Sequence, residues 1–200
     1  VPALTASGPF EKRAENLAPV PHDILTVQTK DWLIDNRSFV ARVTHRQDVS
    51  TLTLENGLVR RTLQLQPNAA TVALDNLMTG ASLLRAVEPE ATVTLNGRKY
   101  PIGGLTGQPD RAYLLPDWVK GLTNQPGSFV FERFEVGKPV APFSWKRNRH
   151  SQDLPWPPRG ASVALHFNGP DDATRRVHVT VHYEMYDGAP VLTKWLTVEN

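Results

Sequence analysis

From Ile24 onward the chain alternates hydrophobic and polar residues in short bursts, each closed by a turn signal. In "STLTLENGLVRRTLQLQP" (50–67), Leu52 and Leu54 alternate with threonines and Leu63 and Leu65 with polar residues. Alternation of period two sends successive side chains to opposite faces of a strand. Asn56-Gly57 between the arms can adopt the positive φ of a tight hairpin turn, and Pro67 stops the pairing because it has no N–H. "ATVALDN" (70–76) and "ATVTLNGRKYPIGG" (91–104) repeat the pattern, the latter with a second Asn-Gly at 96–97. In "SFVFERFEVG" (128–137) the phase changes between Phe131 and Phe134, which predicts a bulge near Arg133. "ASVALHFNGPDDATRRVHVTVHYEMY" (161–186) reads as two strands around a polar connection. Val177, Val179, Val181 and Tyr183 share one face of the second strand; His178, Thr180, His182 and Glu184 share the other. After the turn at Asp187-Gly188, Leu192, Leu196 and Val198 group on one face, Lys194 interrupts that face, and Trp195 takes the other.

Turn signals every 8–15 residues predict an all-β fold, an antiparallel β-sandwich with long loops. Helical periodicity is confined to two short stretches, "TGASLLRAV" (79–87) and "PDWVKGL" (116–122). Residues 1–22, with four prolines and the charged "EKRAE" (11–15), read as an extended leader or linker with one helical turn around Glu11–Leu17. Residues 23–200 then form the sandwich domain, expected to be a fragment of a larger chain.

Composition narrows the function classes. Lys and Arg total 22 against 20 Asp and Glu, and the densest basic cluster, "KRNRH" (146–150), is short, so nucleic acid is not an expected partner. The chain has no cysteine, which removes disulfides, thiolate metal sites and a cysteine nucleophile. No apolar run reaches the roughly 18 residues of a membrane-spanning helix. A chain beginning at Val1 fits either a mature exported product, secreted or periplasmic, or a fragment cut for expression, and export is the expectation.

Candidate chemistry is sparse. His178 and His182 lie four residues apart on a strand, about 13 Å, too far for one metal ion, and His166 brings no carboxylate to complete a site. Asp171 and Asp172 suit a solvated turn better than a cation site. Glu132, Glu135, Asp153, Glu184 and Asp187 lie near aromatic residues, but nothing pairs any two of them as glycosidic hydrolysis requires. No catalytic residue, metal site or cofactor is assigned. The strongest signal is the loop "PVAPFSWKRNRHSQDLPWPPRG" (139–160), too long and too rich in proline, tryptophan and cations to be an idle connection. Trp145 and Trp156 suit the apolar C–H face of a sugar ring, while Arg147, Arg149 and Asp153 suit its hydroxyls. The alternative is that the tryptophans pin the loop to the core or to an adjoining domain. Trp32, Trp118 and Trp195 read as core or edge packing.

Several segments together resemble the N-terminal β-sandwich of bacterial melibiase-type, α-galactosidase-like glycoside hydrolases. They are "LENGLVRRTLQLQPNAATVALDNLMTGASLLRAVEPEATVTLNG" (54–97), "YPIGGLTGQPDRAYLLPDW" (100–118), "WPPRG" (156–160) and "VHYEMYDGAPVLTKWLTVEN" (181–200). The last, a strand running into Y-D-G-x-P and then K-W, is the most specific. The resemblance implies a supersandwich-like form of the fold and a non-catalytic accessory domain of a secreted enzyme, partnered by a C-terminal catalytic (β/α)₈ barrel that supplies the reacting carboxylates. It further implies a galactoside-type glycan as ligand, with a sandwich loop lining the sugar site. A free-standing carbohydrate-binding module and a mutarotase- or lyase-like sandwich enzyme are the alternatives. The enzyme would need a histidine and a carboxylate converging in one cleft.

Overall fold

The computed structural model describes residues 30–141, 143–150 and 155–200; the leader expected at 1–22 lies outside them. The fold is an all-β, antiparallel sandwich, with 45% strand and 2% helix. One sheet contains β1 (Arg42–Arg46), β2 (Thr51–Glu55), β3 (Val59–Gln64), β4 (Ala70–Asn76) and β5 (Ala81–Ser82), in that order. Two hairpins follow: β6 (Ala91–Leu95) with β7 (Arg98–Ile102), and β8 (Leu105–Thr106) with β9 (Thr123–Asn124). The single-turn helix α1 (Pro116–Val119) lies between β8 and β9. The second sheet runs β10 (Val130–Gly137), β11 (Gly160–Asn168), β12 (His178–Tyr186) and β13 (Leu192–Glu199), again in sequence order.

Alternation explains why the two sheets pack. Leu52, Leu54 and Leu63 from the first sheet meet Val163, Leu165, Phe167, Val179, Val181, Tyr183 and Met185 from the second in one core. A fully buried side chain of this size contributes roughly 1.5–3 kcal/mol, so this layer dominates the stability of the fold. The bulge falls between Phe131 and Arg133 and lets Phe131 and Phe134 both pack against the core. The β6–β7 hairpin closes one side with Tyr100 and Ile102, turning at Asn96 and Gly97 with φ of 50° and 80°.

Asparagine side chains build two other turns. Asn56 Oδ1 accepts from the Leu58 and Val59 amides, while its Nδ2 donates to the Tyr186 and Ala189 carbonyls, tying the β2–β3 turn to the second sheet. Asn76 Oδ1 accepts from the Met78 and Thr79 amides. That turn corrects the helical reading of 79–87. With Gly80 at φ 72°, the backbone reverses, and Ala81 and Ser82 pair with Asn76 and Asp75 as β5. The helical reading of 116–122 survives as α1 over its first four residues.

Candidate functional site

Two surfaces and one buried cluster concentrate the polar and aromatic chemistry. The first surface is the β10–β11 loop. Its start folds over the outer face of the second sheet, where Glu184 Oε1 accepts from the Val140 amide (2.9 Å) and the Ser162 hydroxyl donates to the Lys138 carbonyl (3.1 Å). Glu184 Oε2 accepts from the Tyr186 hydroxyl, so this buried carboxylate anchors the loop. Beyond the anchor the loop presents an aromatic cluster. The Trp145 and Trp156 rings lie 5.9 Å apart with 36° between their planes, and Phe143 lies 5.2 Å from Trp156. The Trp156 indole N–H donates to the Phe143 carbonyl (3.1 Å), which fixes the ring. Both tryptophans remain 38% exposed. The structure thus brings Trp145 and Trp156 together at the surface. Arg147 and Arg149 are exposed on the same loop, and Asp153 lies outside the described residues.

The second surface was not anticipated. The outward face of the first sheet floors a groove of about 1050 Å³. Register places Glu55, Arg60, Asp75 and Ser82 side by side across β2 to β5. The next row is Thr44, Thr53, Thr62 and Ala73. One wall comes from Leu84 and from the segment around α1, through Leu114, Val119 and Leu122. Leu122 is held there by a small second core with Ala70, Val87 and Leu105, against which Leu114 packs.

The charges on this floor are unequal. Glu55 is buried and accepts from Arg42 (2.6 and 2.8 Å) and from Arg60 Nε (2.7 Å). Burial pushes its pKa up, but the hydrogen bonds and charges of the two arginines outweigh that and hold it below the ordinary carboxylate value. Asp75 is equally buried and is pushed the other way. Desolvation raises it, against weaker lowering by a Ser82 hydrogen bond and the Arg60 charge.

The buried cluster centres on Glu90, just before β6. Its Oε1 accepts from the Thr71 amide (2.6 Å) and hydroxyl (2.8 Å). Its Oε2 accepts from Arg61 (3.2 Å), Lys194 (3.0 Å) and the Tyr183 hydroxyl. The Arg61 guanidinium also lies 4.5 Å from the Tyr183 ring centre. Desolvation raises the Glu90 pKa, but the Arg61 and Lys194 charges, then the Tyr183 and Thr71 hydrogen bonds, bring it below the usual value. This cluster explains why Lys194 interrupts an apolar face: it reaches inward to a carboxylate.

Several of the remaining candidates have local partners, and His166 Nε2 lies 3.7 Å from Glu135 Oε1. On the outer face of the second sheet His178, His166 and His182 bond Asn168, Thr180 and Thr197 in turn. The His182 ring also stacks on Trp195. Asp171 accepts from the Thr174 amide and hydroxyl within its turn. Asp187 Oδ1 accepts from the Ala41 amide, linking the β12–β13 turn to the entrance of β1. Among the described residues, the groove lining contains carboxylates and no histidine. Sequence reading passed over the groove because threonine, glutamate and arginine alternating with leucine look like any solvated strand face. Only the wall from Leu84 and the segment around α1, further along the chain, makes that face concave.

Comparison with known protein families, with curated proteins and with solved structures returns no match.

Proposed function

We propose that this chain is a non-catalytic, carbohydrate-binding β-sandwich domain of a secreted α-galactosidase-like glycoside hydrolase, acting beside a catalytic barrel. The observation that carries this reading is the exposed Trp145–Trp156 pair, pinned by the Phe143 carbonyl on a loop anchored at Glu184. Indole faces offer flat apolar area to the C–H side of a pyranose, and a ring fixed before binding loses little entropy on contact. The sandwich fold and the resemblance of its 181–200 segment supply the galactoside expectation. Two of the carboxylates near aromatic residues support a non-catalytic role, because Glu184 anchors the loop and Asp187 ties the β12–β13 turn to the entrance of β1.

Calorimetric titration with an α-galactosylated oligosaccharide tests this reading. Saturable binding is expected, weakened about tenfold by Trp145→Ala or Trp156→Ala, since a stacked ring is worth roughly 0.5–1.5 kcal/mol beyond its buried area. No hydrolysis of an aryl α-galactoside is expected from the same protein. Absence of binding, or turnover by this chain alone, contradicts the proposal.

A further inference from the structure

The groove on the first sheet has no part in the reading above. Its floor sets a donor-only group beside an acceptor-only group. Arg60 and Asp75 are directly paired residues on adjacent antiparallel strands, so their Cβ atoms lie about 4.5–5.5 Å apart. Arg60 spends its Nε on Glu55, which holds the guanidinium in place in the groove lining. Asp75 is 8% exposed and faces Ser82 on the adjacent strand, with acceptor capacity on a carboxylate that has room for about four hydrogen bonds. Beside them stand the hydroxyls of Thr53 and Thr62, 3.4 Å apart, and opposite them the apolar wall of Leu84, Leu114 and Val119.

We infer that this groove is a second, independent binding site, for a neutral sugar bound through a pair of adjacent hydroxyls. Each hydroxyl is both donor and acceptor, so a vicinal diol can donate to Asp75 while accepting from Arg60. Groups charged in opposite senses, side by side, favour a ligand without net charge over an anion or a cation. The threonines serve further hydroxyls, and the leucine wall covers the C–H face of the ring. The groove volume of about 1050 Å³ accommodates an oligosaccharide segment rather than one ring.

The test is an amide NMR titration of the whole chain with the methyl glycosides of galactose, glucose and mannose. A dideoxy hexoside lacking adjacent hydroxyls serves as control. At least one methyl glycoside is expected to shift the Thr53, Thr62 and Asp75 amides saturably. Asp75→Asn keeps the side-chain shape, so that it folds, and is expected to weaken binding about tenfold; the dideoxy sugar is expected to lose a similar factor. The double variant Trp145→Ala/Trp156→Ala is expected to leave these shifts unchanged, which separates this site from the aromatic loop. Three results each overturn the inference: no saturable shift on this face at millimolar sugar, equal affinity in Asp75→Asn, or loss of the shifts in the double tryptophan variant.

Discussion

Glu90 is one carboxylate serving both sheets, because Arg61 and Thr71 reach it from the first sheet and Tyr183 and Lys194 from the second. Removing one partner from a buried charged network costs about 3–5 kcal/mol, since the groups left behind remain desolvated and unpaired. Glu90→Gln is therefore expected to lower the unfolding free energy by that amount at neutral pH, read as a lower urea midpoint with an unchanged m-value. The pH dependence has a definite sign. The folded pKa of Glu90 lies below its unfolded value, so its stabilisation is fully present above the unfolded pKa, about 4.3. It is lost as the pH falls through the folded value. Wild type should lose stability steeply below about pH 4, and Glu90→Gln should flatten that decline in a denaturation series. Asp75 has the opposite sign. Its folded pKa is raised, so the ionised form costs stability as the pH rises through that value. Asp75→Asn should then be at least as stable as wild type at pH 7, measured by thermal unfolding.

At the scale of elements, the strand pattern was readable because each strand buries one face. Leu52 and Leu54, and Val179, Val181 and Tyr183, occupy the faces that alternation assigns them, and the bulge at Arg133 follows from the change of phase. Lys194 was visible as an anomaly, but its partner was not. Glu90 stands 104 residues earlier in a proline-flanked loop, and no local pattern reports so distant a pairing. The stretch 79–87 misled for a physical reason: its helical spacing is real, yet Gly80 at φ 72° reverses the backbone and Ala81 and Ser82 spend their backbone groups on β4. Glycine positions add a further check on the packing of elements. Gly103 joins β7 to β8 at φ 61°, and a Cβ there would run into the Ala69 carbonyl oxygen and press on the Phe167 ring. Gly103→Ala is expected to cost more than about 1 kcal/mol, read as a lowered melting temperature, because both the backbone conformation and the space forbid it.

For the whole molecule, the two sheets divide the work. Their inner faces carry the core and the Glu90 cluster, while their outer faces carry the groove on one side and the anchored aromatic loop on the other. Amide exchange should be slowest in β11 and β12, which are flanked by strands on both sides and packed on the first sheet, and fast in residues 143–150. The proposed glycan-binding role would use this contrast, with recognition on a loop and a rigid scaffold beneath. The most direct test follows the indole N–H signals of all five tryptophans by NMR while a soluble α-galactosylated oligosaccharide is added. The Trp145 and Trp156 signals are expected to shift together and saturate, with Trp32, Trp118 and Trp195 unmoved. Silence from both loop tryptophans, or shifts confined to the other three, would contradict the account.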